Sequence, residues 1–122
     1  MPKQILIIDD EPRNIFALVA VLKARKYGCI TASSAEEGLA ILRDRQDIGI
    51  ILMDMMMPEM DGYEAIGKIK EDKKLPDIPI IAVTAQAMVG DKEKCLSAGA
   101  DDYIAKPINV EALVALLNQY LQ

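Results

Sequence analysis

A doubly wound α/β domain built on one five-stranded parallel sheet is predicted by three features of this sequence. Short β-branched apolar runs recur five times, and an amphipathic stretch follows each. Three of the runs, QILII at 4–8, IGIILM at 48–53 and IPIIAV at 78–83, lack the polar alternation of a half-exposed strand. Both of their faces must therefore be covered, as in a parallel sheet. Strand and helix alternate throughout, and right-handed crossovers wind such a chain into one sheet with helices on both sides.

The elements follow in order. The run 4–8 is the first strand. Ile15, Leu18, Val19 and Leu22 repeat at i, i+3, i+4, i+7, which gives a helix one apolar face. The mixed run 29–32 reads as an edge strand. Ser34 and Glu37 stand at capping-box spacing and open a helix over 35 to about 45. After the strand 48–53, a turn at Gly62 leads into a helix from Tyr63 to about Glu71, in which Gly67 costs about 1 kcal/mol relative to alanine. Pro79 lies at the start of the fourth run, where a missing N–H is tolerated. The fourth helix, 88–98, ends at Gly99, a residue suited to a left-handed C-terminal position. Its Gly90, Asp91, Lys92, Glu93 and Lys94 offer little apolar anchoring, so it should be the least firmly docked helix. Asp101 and Asp102 read as a solvated turn before a short edge strand at 103–105. Asn109 caps the last helix, whose Val110, Leu113, Val114, Leu117 and Leu121 form one apolar stripe. With the three apolar strands in the middle and the second and fifth at the edges, the order 2-1-3-4-5 satisfies the pattern.

Composition narrows the function. The chain has 122 residues, 52% hydrophobic and 27% charged, which fits one globular domain over 1–122 and excludes a disordered acidic tail. No apolar run nears the roughly 18 residues of a membrane span, and the start lacks the apolar core of a signal peptide. A cytoplasmic protein is expected. With 19 acidic residues against 14 basic, a nucleic-acid surface is disfavoured. Cys29 and Cys95 lie outside any metal-binding spacing and read as small buried hydrophobes. The chain contains no histidine, which excludes Ser-His-Asp and Cys-His catalysis, His-ligated zinc and a phosphohistidine of its own.

In an open parallel sheet, ligands bind beyond the carboxyl ends of the strands. The first strand ends in Asp9-Asp10, followed by Glu11; the third in Asp54; the fourth in Thr84; the fifth is followed by Lys106-Pro107. Crowded carboxylates repel unless a cation sits among them. Hard oxygen ligands favour Mg²⁺, which binds one or two carboxylates together with phosphate oxygens. Lys106 offers a point charge and Thr84 a hydroxyl, and an aspartate can carry a phosphoryl group as an acyl phosphate. The set implies a Mg²⁺-dependent phosphoryl-transfer site. Taken singly, each residue has a plainer reading: helix-terminal acids at 9–11, a turn residue at Asp54, a strand-end hydroxyl at Thr84, a surface lysine at Lys106. Convergence sets them apart. The methionines at 53, 55, 56, 57 and 60 read as adaptable packing.

With these residues in place, the chain resembles the receiver domains of two-component response regulators. The resemblance rests on ILIIDDEP, ILMDMMMPEMDG, IIAVTA and AGADDYIAKPI, and covers 5–121. It implies a flavodoxin-like (βα)5 fold of order 2-1-3-4-5 and a phosphoprotein of a two-component phosphorelay. Asp54 is implied as phosphoacceptor; Asp9, Asp10, Asp54 and the backbone carbonyl of Met56 as the Mg²⁺ site; Thr84 and Lys106 as phosphoryl contacts. The Lys106–Pro107 bond is implied to be cis. Thr84 and Tyr103 are implied to form the switch, with the fourth helix, fifth strand and fifth helix as the output and dimerisation face. Met56 and Gln86 fall where the family varies phosphoryl lifetime. The implied donor is a histidine kinase or histidine phosphotransfer protein, which fits a chain with no histidine. The output partner is unspecified, and no enzymatic activity is implied beyond accepting and losing phosphate. A stand-alone regulator, a relay intermediate and a receiver from a hybrid kinase all fit the length.

Three alternatives compete. A non-phosphorylated receiver look-alike used only for protein contacts is disfavoured by the intact acidic pair, Asp54, Thr84 and Lys106. A haloacid dehalogenase-type phosphatase with an aspartyl-phosphate intermediate would put its nucleophile on the first strand, where Asp9-Asp10-Glu11-Pro12-Arg13 departs from D-x-D-x-T/V. A redox flavodoxin would need a phosphate-cradling loop after that strand, and none is present.

Overall fold

A computed structural model describes residues 3–85 and 90–121. Five strands alternate with five helices: β1 Gln4–Ile8, α1 Pro12–Ala24, β2 Cys29–Ala32, α2 Ala35–Asp44, β3 Ile48–Asp54, α3 Gly62–Glu71, β4 Ile80–Thr84, α4 Asp91–Ala98, β5 Asp102–Ala105 and α5 Val110–Tyr120. All strand pairs are parallel, and the order is β2-β1-β3-β4-β5 as expected. Of the residues in the expected fourth helix, Met88 and Val89 lie outside the described set, as do Gln86 and Ala87.

The unbroken apolar strands have the predicted cause. Leu6, Ile8, Ile51 and Met53 pack on one side with Leu39, Leu42, Ala65, Ile66 and Cys95 of α2, α3 and α4. Ile5, Ile7, Ile50 and Leu52 pack on the other with Leu18 and Leu22 of α1 and Leu113 and Leu117 of α5. Successive residues of a strand point to opposite faces, so a strand sandwiched by helices must be apolar at every position. Each large aliphatic buried this way contributes about 1.5–3 kcal/mol.

Several boundaries differ from expectation, each for a local reason. Proline has no N–H to donate, so β4 begins at Ile80 rather than 78; Pro79 contributes only its carbonyl, to the Ile51 amide at 3.0 Å. The α3 helix starts at Gly62 because Asp61 caps it, accepting from the Glu64 amide at 2.9 Å. The aspartate pair before β5 is a solvated turn only in its first member, the exposed bend residue Asp101. Asp102 is the first residue of that strand, and Asp101 Oδ2 accepts from the Ile80 amide at 2.8 Å, closing the start of β4. Ser34 and Asn109 cap α2 and α5 as predicted. The α4 helix is held by buried Cys95 while Leu96 stays exposed, in line with its sparse apolar content. Both cysteines are free. Among the described residues no helix is long and apolar enough to cross a membrane.

Candidate functional site

Register brings the strand ends together. Ile8 of β1 pairs with Met53 of β3, so Asp9 and Asp54 each stand one residue past the same rung. Asp54 pairs with Val83, which puts Thr84 one step beyond it on β4. Thr84 pairs with Ala105, and Lys106 follows on the next residue. Four expected site residues therefore share one edge of the sheet. The Lys106 amide donates to the Thr84 carbonyl at 2.8 Å, and the Lys106–Pro107 bond is cis.

The first turn after each acidic strand is built alike. Asp9 Oδ1 accepts from the Glu11 amide at 2.8 Å, and Asp54 Oδ1 accepts from the Met56 amide at 3.1 Å. An aspartate binding the amide two residues on is an Asx turn, and here it fixes each carboxylate at the mouth of its loop. Asp10 is exposed, whereas Asp9 and Asp54 are buried to about 3% exposure. Oxygens of the three carboxylates lie within 4.8 Å of one another. The Lys106 ammonium reaches over them, 3.6 Å from Asp9 Oδ2 and 3.5 Å from Asp54 Oδ1.

The electrostatics follow from this crowding. Burial pushes the Asp54 carboxyl above its ordinary pKa, and Asp9 adds to the rise through its charge and a hydrogen bond; the Met56 amide and Lys106 oppose it. One ammonium faces two buried carboxylates and an exposed third, so the pocket carries excess negative charge. The side-chain donors gathered here are carboxylate oxygens, a set that suits a hard divalent cation with retained waters better than zinc. Met56 itself is 59% exposed at the mouth, while Met53, Met55 and Met57 are core residues. Thr84 is buried at the end of β4 and Tyr103 is half-buried on β5, with the Lys92 ammonium 5.8 Å from its ring centre.

Sequence reasoning missed one feature beside this pocket. An apolar groove of about 210 Å³ runs between α1 and α5, bordered by Ala17, Val21, Pro107 and Ile108 and reaching Asp9 and Lys106. On the same helix Phe16 is 77% exposed. The signal was present: Phe16 falls off the stripe formed by Ile15, Leu18, Val19 and Leu22.

Comparison with known proteins agrees with the geometry. The family model described as the response regulator receiver domain matches residues 5–118. The polar-differentiation response regulator DivK of Brucella anthropi is 36% identical over 121 residues, 99% of this chain and 98% of DivK. Among solved structures, the receiver domain of the sensor histidine kinase PA1611 from Pseudomonas aeruginosa, with a magnesium ion coordinated in its active-site cleft, superposes with a TM-score of 0.87 at 34% identity, covering 99% of this chain and 98% of that one. The receiver domain of Saccharomyces cerevisiae Ssk1, solved in complex with the histidine phosphotransfer protein Ypd1, superposes with a TM-score of 0.91 at 27% identity, covering 98% of this chain and 89% of that one.

Proposed function

The chain belongs to the response regulator receiver domain family, and from that premise we propose that Asp54 takes a phosphoryl group from a phosphohistidine on a partner protein. The observation that carries this reading is the meeting of Asp9, Asp10 and Asp54 within 4.8 Å under the Lys106 ammonium. An Asp54 carboxylate oxygen attacks phosphorus, the P–N bond breaks, and the imidazole leaves with the bonding pair. Water later attacks the acyl phosphate and returns the carboxylate and free phosphate. Lys106 holds phosphoryl charge, the Thr84 hydroxyl meets another oxygen, and the Asx turn at Met56 keeps the nucleophile aimed. Asp9, Asp10, Asp54 and the Met56 carbonyl are the residues that would hold Mg²⁺, which when bound supplies charge neutralisation at the transferring oxygens. The chemistry of this chain is confined to acquiring and losing that group.

The same premise supports a switch. Thr84 sits at the end of β4, and Tyr103 lies beside it on β5, paired with Ala82. A phosphoryl group at Asp54 draws Thr84 inward, Tyr103 takes the vacated space, and the α4–β5–α5 face changes for an output partner or a second copy. The donor must reach Asp54 from outside, because the chain has no histidine. The α1–α5 groove reaches Asp9 and Lys106, and a histidine kinase or phosphotransfer protein would dock along α1, where Phe16 is exposed. The receiver family, matched over 5–118, and the run Asp9-Asp10-Glu11-Pro12-Arg13, which departs from D-x-D-x-T/V, support this reading over the phosphatase alternative.

Intact mass after incubation with acetyl phosphate and Mg²⁺ tests the reading. One phosphoryl adduct is expected, Mg²⁺-dependent and absent in Asp54→Asn. Labelling or acetyl phosphate consumption undiminished in Asp54→Asn would overturn the assignment.

A further inference from the structure

Methionine is crowded around the acceptor aspartate, at positions 53, 55, 56, 57 and 60. The fold treats these residues unequally. Met53, Met55 and Met57 turn into the core and are buried, and Met60 is half-buried against it. Met56 alone of the five is exposed, at 59%. The cause is local. The Met56 amide donates to Asp54 Oδ1 at 3.1 Å, which pins the backbone of Met56 at the mouth of the pocket. Its neighbours on both sides point inward, so its own side chain is left to solvent. Thioethers in the core are shielded from a polar oxidant, whereas this one is open to it. The cysteines compete poorly. Cys95 is buried, and burial pushes the half-buried Cys29 thiol up, so neither presents a ready thiolate.

We propose that Met56 is a modification site for hydrogen peroxide, and that its sulfoxide shortens the life of a phosphoryl group on Asp54. The second half rests on the reading of Asp54 as phosphoacceptor. The Met56 sulfur attacks one peroxide oxygen and the O–O bond breaks. The departing hydroxide takes the hydrogen left on the transferred oxygen and leaves as water. Sulfur loses an electron pair and the peroxide gains it, so a flexible apolar side chain becomes a polar one. A thioether is a weak acceptor and holds water poorly. The sulfoxide oxygen is a stronger acceptor with no hydrogen to donate. It therefore binds water at the mouth, two residues along the chain from the acyl phosphate, and leaves that water's lone pair free for phosphorus. It cannot hydrogen-bond the phosphoryl oxygens, so it speeds hydrolysis without stabilising the bound group. A sulfoxide reductase restores the thioether at the expense of a dithiol, which makes the change reversible.

The full chain is treated with limiting hydrogen peroxide, then with dithiothreitol to return any oxidised cysteine. Peptide mass mapping should find one added oxygen on Met56 ahead of Met53, Met55 and Met57; Met1 and Met88, outside the described residues, are read separately. Treated and untreated samples of the parent and of Met56→Leu are then labelled with acetyl phosphate and Mg²⁺. The donor is removed and loss of the adduct is followed by intact mass. Each protein is compared with its own untreated sample, because the substitution alone can shift the lifetime. Loss should be about threefold faster or more in the treated parent and unchanged by treatment in Met56→Leu. The mapping and the parent comparison stand even if the variant misfolds. Earlier oxidation of a core methionine overturns the proposal, as does equal or slower loss in the treated parent. Equal acceleration in treated Met56→Leu would place the effect on another residue and overturn it too. No adduct on the untreated parent would overturn the reading of Asp54 itself, and a normal adduct with a lifetime indifferent to oxidation would overturn this inference alone.

Discussion

Burial raises the affinity of Asp54 for a proton, and Lys106, 3.5 Å away, restrains the rise. The sign of the resulting pH dependence is fixed. A carboxyl whose folded pKa lies above its unfolded one favours folding most below the unfolded pKa, and that contribution is lost as pH rises through the folded pKa. At neutral pH without metal, the ionised Asp54 therefore opposes folding. Asp54→Asn should melt on the order of a few degrees higher than the parent in chelator at pH 7, with the gap narrowing on acidification. A parent melting above the variant under those conditions would refute this account. Lys106→Ala acts in the opposite direction, because it leaves two buried carboxylates without their ammonium. It should destabilise the metal-free protein by about 1–3 kcal/mol in urea titrations, and added Mg²⁺ should recover part of the loss. The residue types at this site were readable, since each polar group ended an apolar run. Their distances and the Asx turns were not, because they depend on register between strands far apart in sequence.

Two glycines of α3 separate local propensity from tertiary fit. At Gly67 a β-carbon would meet nothing within 4 Å, so Gly67→Ala should stabilise by up to about 1 kcal/mol, as helix propensity alone dictates. At Gly62 a β-carbon would stand 2.7 Å from Met55 Cα and 2.8 Å from the Asp54 carbonyl. Backbone cannot yield as a side-chain tip can, so Gly62→Ala should cost about 1–3 kcal/mol and slow labelling of the neighbouring Asp54. Thermal melts followed by circular dichroism read both; equal effects at the two glycines would contradict the packing argument. Helix caps and stripes at α1, α2 and α5 were legible because they are local. The starts of β4 and β5 were less so. Asp101 looks like a solvated turn residue until Ile80, far away in sequence, is seen to donate to it.

Across the whole molecule, the two ends and the two faces of the sheet differ in character. The carboxyl end of the strands gathers Asp9, Asp10 and Asp54, the amino end opens between paired charges such as Arg43–Asp72 and Arg45–Asp47, and α1 shows Phe16 to solvent. If donors dock on α1, Phe16→Ala should slow phosphoryl transfer from a phosphohistidine protein about tenfold, a typical loss for an aromatic anchor. Labelling by acetyl phosphate should be unchanged, because that small donor needs no docking surface. Equal slowing with both donors would place the defect in the site itself. Taken by itself, the sequence determined the alternation of strand and helix, the central and edge strands, the family and the residue types of the site. Those properties live in periodicity and in short motifs, which one stretch of chain carries alone. Only the tertiary structure decided that a single lysine spans Asp9 and Asp54, that Asp101 closes β4, and that α1 and α5 border a groove reaching the site. These depend on strand register and helix packing, which place residues distant along the chain within a few ångströms of each other.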